Sequence, residues 1–251
     1  ILDAWNSKRM HHAWLLCGPR GVGKATLAYR MARFILSGGE AEGGAGLFGD
    51  SPNGLYVDPE NPVFRRIAGG GHGDLKVIER KYDEKKKRLQ GEITVDSVRT
   101  VGNFMSKTSA EGGWRVVIVD AADELNRNAA NAILKVLEEP PANALMILVA
   151  HHPGRLLPTI RSRCRRLNLG ALEEHQVVDL LGRYCPDMDL GDRDALSGLA
   201  EGSVGRALQL HEVGGLELYT ELVTLIAALP NADVAGQHKF AERFSAADKD
   251  A

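Results

Sequence analysis

Nine residues, Gly18-Pro19-Arg20-Gly21-Val22-Gly23-Lys24-Ala25-Thr26, set the tightest limit on what this chain can fold into. They spell a phosphate-binding loop, in which glycines let backbone N–H groups curl around phosphates and the lysine reaches the terminal ones. Such a loop needs a buried strand before it and a helix after it. Ala13-Trp14-Leu15-Leu16-Cys17 reads as that strand, and Leu27, Ala28, Met31, Ala32 and Ile35 recur behind the loop at helical spacing. One letter departs from the pattern. The residue after the lysine, where a Ser or Thr hydroxyl coordinates Mg²⁺, is Ala25. Thr26 lies one step further along the helix, its side chain turned by about 100° from the metal position. The loop therefore predicts an NTP-binding fold whose chemistry is impaired or absent at Gly18, Gly21, Gly23, Lys24 and Thr26.

Strands and helices alternate downstream. Residues 37–74 form an insertion whose first part, Ser37 to Gly54, has seven glycines among eighteen residues and no apolar periodicity. A strand over Leu75 to Glu79 leads to the charged Lys81 to Arg88 segment and then to Ile93-Thr94-Val95, which places the charged run at a hairpin tip. Its Lys85-Lys86-Lys87-Arg88 cluster could touch phosphates; Asp83 and Glu84 dilute it, so a solvated hairpin face is favoured. Asp96 is the expected N-cap of a helix that turns Val98, Val101, Phe104 and Met105 inward and stops at Gly112-Gly113. Arg115 to Asp120 is a continuous apolar run ending in a carboxylate, the pattern of a central strand covered on both faces. Asn126 caps a helix with Ile133, Leu134 and Leu137 on one stripe, terminated by Pro140-Pro141. Strands over Ala144 to Val149 and around Arg165 to Leu169 complete a doubly wound α/β domain over residues 1–170. Helices alone follow: Glu173 to Tyr184, Asp192 to Ala200 and Val204 to His211 make a small all-α lid over 171–212, and Leu216 to Leu229 opens a helical C-terminal region over 213–251. The chain starts on Ile1 and its tail is short and polar, so both ends are expected to be incomplete.

In P-loop ATPases the apolar strand ends in an Asp of the magnesium shell, and in many hydrolytic families a Glu follows to polarise the attacking water. Here Asp120 is followed by Ala121. Asp123 or Glu124 would need an altered loop to stand in. A second polar signal, Arg161-Ser162-Arg163-Cys164-Arg165-Arg166, precedes a strand; on composition alone it reads as surface arginines, with a finger reaching a neighbouring subunit's nucleotide as the alternative. With 31 basic and 33 acidic residues, the chain as a whole has no electrostatic footprint for nucleic acid, so a DNA contact must come from a local patch or from partners. Three scattered cysteines suit a reducing compartment, and no apolar run reaches the roughly 18 residues of a membrane span, so a cytoplasmic location without membrane association is expected.

The run Asn128-Ala129-Ala130-Asn131-Ala132-Ile133-Leu134-Lys135-Val136-Leu137-Glu138-Glu139-Pro140-Pro141, followed in order by Leu156-Leu157-Pro158-Thr159-Ile160-Arg161-Ser162-Arg163-Cys164, resembles the bacterial DNA polymerase III clamp-loader subunits of the AAA+ family. The resemblance extends from about Leu2 to His211 and is strongest to the delta-prime type, whose own nucleotide site is commonly degenerate. It implies that Arg163 is an arginine finger acting in trans and that Arg206, in Gly202-Ser203-Val204-Gly205-Arg206, is the lid's second sensor. The partners it implies are gamma/tau and delta type subunits, the sliding clamp indirectly, and primer–template DNA through the complex. The nucleotide site then comprises Gly18, Gly21, Gly23, Lys24, Thr26, Asp120 and Arg206, with no cofactor required and residual nucleotide or anion binding at the loop compatible with it.

Two features depart from the family. Many relatives carry a four-cysteine zinc module after the P-loop helix, whereas Ser37 to Val95 contains no cysteine, so zinc is not carried over. The strand ending at Val149 leads into Ala150-His151-His152-Pro153 in place of the Thr-rich version of active motors. Neither that histidine pair nor His11-His12 has the partner cluster a metal needs. Two competing expectations are an ATP-hydrolysing motor subunit of the same family, using Thr26 and a displaced carboxylate, and an unrelated P-loop phosphotransferase, for which no acceptor-site Asp or His set is evident.

Overall fold

Apolar runs with little polar interruption can be buried on both faces, and three such runs form the centre of one five-stranded parallel sheet. The structure, a computed structural model, describes residues 1–39, 54–110, 113–229, 236–238 and 240–242. Most of the glycine-rich segment over 37–54 and most of the 231–251 tail lie outside the described residues, as does Gly112, while the helix expected to stop at Gly112-Gly113 already ends at Ser106, where Lys107 turns extended.

Packing divides the chain into two units. The first comprises residues 1–18 and 24–169. In chain order it holds α1 (Leu2–Asn6), β1 (Ala13–Cys17), α2 (Lys24–Leu36), α3 (Pro62–Ala68), β2 (Leu75–Glu79), β3 (Tyr82–Asp83), β4 (Arg88–Leu89), α4 (Val95–Ser106), β5 (Arg115–Asp120), α5 (Arg127–Glu138), β6 (Ala144–Ala150), α6 (Pro158–Arg161) and β7 (Arg165–Asn168). The sheet order is β2-β5-β6-β1-β7, all parallel. Alternation along the strands sends Leu15, Val117, Val119, Met146 and Leu148 to one face, against α4, α5 and α6. Trp14, Leu16, Val116, Ile118, Leu145 and Ile147 point to the other, against α1 and α2. The expected doubly wound α/β architecture is therefore present.

Three local expectations need correction. Ile93 to Val95 is not a hairpin strand: β3 pairs with β4 over Tyr82↔Leu89 and Asp83↔Arg88, while Ile93 makes only an isolated bridge to Leu125. Its N–H donates to Glu124 O and its carbonyl accepts from Asn126 N, which holds the chain extended to that point, and α4 starts two residues later. Asp96 thus falls inside the first turn, pairing with Arg99, and Thr94 takes the N-cap position without a side-chain cap bond. Asn126, by contrast, caps α5 as expected, its Oδ1 accepting from Ala129 N.

The second unit comprises residues 19–23 and 170–251. Its helices are α7 (Glu174–Tyr184), α8 (Leu190–Ala200), α9 (Val204–Glu212) and α10 (Gly215–Ala227). Val177, Leu181, Leu196, Ala200 and Ala207 form its core. The helix expected from Asp192 begins two residues earlier because Asp189 is the N-cap, accepting from Asp192 N at 2.9 Å.

Candidate functional site

In a parallel sheet the loops beyond the carboxyl ends of the strands are where ligands gather. In the first unit β1, β5 and β6 end in register, Cys17 opposite Ala150 and Asp120 opposite Val149. Gly18, Asp120 and His151 therefore emerge at the same sheet edge. Gly18 has φ 147°, and a Cβ there would meet Leu169 O at 2.1 Å, so only glycine fits where the chain leaves β1. Lys24 opens α2 and is 3% exposed, its Nζ donating to Gly18 O at 2.7 Å. Ala25 offers no oxygen there, and Thr26 is exposed on α2.

One carboxylate ends β5 and two follow it, each with different surroundings. Burial pushes Asp120 above the usual carboxylate range; the Lys24 charge offsets part of that, while Glu124, Glu79 and Asp123 add to it. Ala121 follows, 3% exposed, with no acid or base to offer. Burial would also raise Asp123, but its oxygens accept the backbone N–H groups of His151 and His152, both at 2.9 Å, and these bonds hold its pKa below the ordinary value. Glu124 is paired with Arg80 at 2.8 Å. The two carboxylates that could have replaced Ala121 are thus engaged, one in holding the end of β6 and the other in an ion pair. His152 Nδ1 lies 3.4 Å from Asp123 Oδ2. Among the described residues no group of three or more His, Cys, Asp or Glu is placed to hold a metal ion.

Arg163 lies just past α6. Its Nη1 donates to Thr159 O at 3.0 Å and its Nη2 is 3.0 Å from Glu138 Oε1, the acidic residue that closes α5. The Arg163 side chain is 36% exposed. The following thiol, Cys164, is pushed up to about 12 by burial, so it is an apolar filler rather than a nucleophile.

The remaining candidates belong to the second unit. There the tip of the P-loop is fastened to the start of α9: Gly205 N donates to Gly21 O at 3.0 Å, and Ser203 Oγ donates to Arg20 O at 2.9 Å. Ser203 Oγ also accepts from Arg206 N, capping α9. Gly21 has φ 79°, and a Cβ on it would meet Ser203 Oγ at 2.2 Å and Gly205 Cα at 3.1 Å. Arg206 Nη1 lies 3.2 Å from Glu201. Asp123, Ser203 and Gly205 are positioning residues that a reading of the loop motif misses, because their partners lie far away in sequence.

The residue directly after Lys24 brings no hydroxyl, and Asp123 and Glu124, the carboxylates that follow Asp120, are engaged by backbone N–H groups and by Arg80.

The family model described as DNA polymerase III, delta subunit, matches residues 2–173. The chain is 34% identical to DNA polymerase III subunit delta' of Pseudomonas aeruginosa, over 89% of its own length and 63% of the relative's. It is 31% identical to DNA polymerase III subunit delta' of Escherichia coli strain K12, over 93% of this chain and 64% of that one. It thus spans just under two thirds of the length of these relatives. DNA polymerase III subunit tau of the same E. coli strain is 31% identical over 80% of this chain and 29% of its own length. Among solved structures, a DNA polymerase III gamma subunit-related protein from Thermotoga maritima shares the fold at a TM-score of 0.50 and 21% identity, covering 94% of this chain and 68% of that one.

Proposed function

The chain belongs to the DNA polymerase III delta-subunit family, and from that premise we propose that it is a delta-prime-type stator of the clamp loader, which turns over no ATP itself. The observation that carries this reading is the double alanine. Ala25 and Ala121 stand where the metal ligand and the water-activating carboxylate of a working site would be, and the neighbouring Asp123 and Glu124 are engaged elsewhere. Loss of either group is damaging; loss of both leaves a loop fit only to hold an anion.

In this reading the chain assembles with gamma/tau and delta type subunits, serves the sliding clamp and primer–template DNA through that complex, and works in the cytoplasm. Arg163 is its chemical contribution, a guanidinium presented to the nucleotide of an adjacent subunit, where such fingers supply a factor of about 10³ to 10⁵ in rate. Its present partners hold it only weakly, because an exposed ion pair such as that with Glu138 is worth at most about 1 kcal/mol. Release toward a phosphate is therefore inexpensive.

The competing reading is a hydrolysing motor subunit, which the identity with tau favours. The exposed Thr26 and the engaged Asp123 and Glu124 speak against it. The deciding experiment uses the reconstituted loader. With Arg163→Ala the complex should still assemble, while hydrolysis at the one site facing this subunit falls by about 10³ or more. Arg163→Lys should rescue poorly, since lysine lacks the planar fork that spans two phosphate oxygens. Full hydrolysis and clamp loading by the Arg163→Ala complex would refute the finger.

A further inference from the structure

The hairpin over residues 81–90 is a cationic ribbon on a chain that is otherwise acidic. Between Arg80 and Leu89 there are six basic residues against two acidic ones, a local charge of +4 in a protein whose net charge is −2. The rest of the chain therefore carries −6 overall, and the hairpin, together with the Arg161 to Arg166 run, stands out from it as a cationic stretch that attracts a polyanion.

The structure shows where those charges are spent. Arg80 is tied to Glu124. Asp83 turns its Oδ1 into the connection, accepting from Lys85 N and Lys86 N, both at 3.1 Å. Its carboxylate thus organises the turn and is drawn toward backbone donors. The bond from Gln90 N to Lys81 O closes the base of the ribbon. Lys81, Lys85, Lys86, Lys87 and Arg88 are all exposed.

A second feature separates this ribbon from an ordinary solvated charge run. Tyr82 and Leu89 pair across the two strands and are 59% and 50% exposed, so an aromatic ring and an aliphatic side chain share one face of the hairpin amid the cations. Lysines solubilise a tip without any such pair. A two-stranded ribbon also has the width that the DNA major groove admits, about 12 Å.

We propose that this hairpin is a contact for the phosphate backbone of duplex DNA, with the lysines neutralising phosphates and Tyr82 packing on the sugar–base surface. Nothing in it reads sequence, because point-charge lysines position a protein on DNA without specifying bases. The inference goes beyond the stator reading and does not need it, since the contact belongs to this subunit alone.

The test is fluorescence anisotropy of a labelled duplex of about 25 base pairs with the full-length protein, titrated between about 20 and 200 mM NaCl. Binding should weaken with salt at a log–log slope of about −0.9 per phosphate neutralised. The variant carrying Lys85→Glu, Lys86→Glu and Lys87→Glu should lose at least about tenfold in affinity at low salt and about 2 to 3 from the slope magnitude. Tyr82→Ala should lower affinity with the slope unchanged. The same number of reversals at the exposed Lys8, Arg9 and Arg66 should alter neither in comparable degree. Circular dichroism confirms folding of each variant. Failure of the wild-type protein to bind duplex at low salt, equal binding by the hairpin variant, or salt-sensitive binding of polyglutamate in preference to duplex would overturn the proposal, the last in favour of an acidic protein surface. An intact hairpin contact beside an inert Arg163, or the reverse, distinguishes failure of one proposal from failure of the other.

Discussion

Asp123 shows how a single carboxylate can be removed from chemistry by its neighbours. Its side chain is 3% exposed, and two backbone N–H groups from the end of β6 converge on it. A buried donor left without an acceptor costs about 1–3 kcal/mol, so Asp123→Ala should lower stability by about that amount, read from chemical denaturation. The pH dependence has a definite sign. Because the folded pKa lies below the ordinary 3.8, the contribution of Asp123 is complete above that value and is lost as pH falls through the lower, folded one. Asp123→Asn should flatten the acid limb of the stability profile in that window; an unchanged limb would show that the two N–H bonds do not select the ionised form. The sequence marks Asp123 only as a carboxylate near a strand end. Whether it faced a ligand or the backbone depended on His151 and His152, 28 and 29 residues later.

At the scale of elements, glycine at the start of α9 poses a test of competing effects. Gly→Ala in a helix is ordinarily favourable by up to about 1 kcal/mol. At Gly205, however, a Cβ would meet Gly21 Cα at 2.8 Å, and the adjacent bond from Gly205 N to Gly21 O would be strained. Backbone cannot swing aside as a side-chain tip can. Gly205→Ala is therefore expected to destabilise by about 1–3 kcal/mol, visible as a lower Tm; a raised Tm would show that helix propensity wins. Elements with strong local signals were legible beforehand: the central strands from their unbroken apolar runs, α5 from Asn126 and the paired prolines. The start of α4 was not, because Asp96 carries the letters of a cap while the Ile93–Leu125 bridge, a tertiary contact, set where the extended chain ended. The same holds for the hairpin, whose charged run was legible but whose closing pair, Tyr82 with Leu89, was not.

For the whole molecule, the stator reading predicts that the isolated full-length protein has no appreciable ATPase activity, and the lack of any cysteine between Ser37 and Val95 predicts no stoichiometric zinc when it is prepared without added metal. Turnover comparable to that of a motor subunit and abolished by Lys24→Ala would refute the first, and zinc in metal analysis the second. Anion binding at the loop fits the prediction, since backbone N–H groups and Lys24 persist. The sequence by itself determined the layering, because burial on two faces is written as period and composition along each strand, and it determined the chemical poverty of the loop, because Ala25 and Ala121 cannot regain oxygens by folding. Only the tertiary structure decided that Asp123 and Glu124 are engaged and that Arg20 and Gly21 are bonded to Ser203 and Gly205, the first of these bonds joining residues 183 positions apart. Local pattern records what a residue prefers to face; which distant backbone group arrives within hydrogen-bonding distance is settled by how the elements pack.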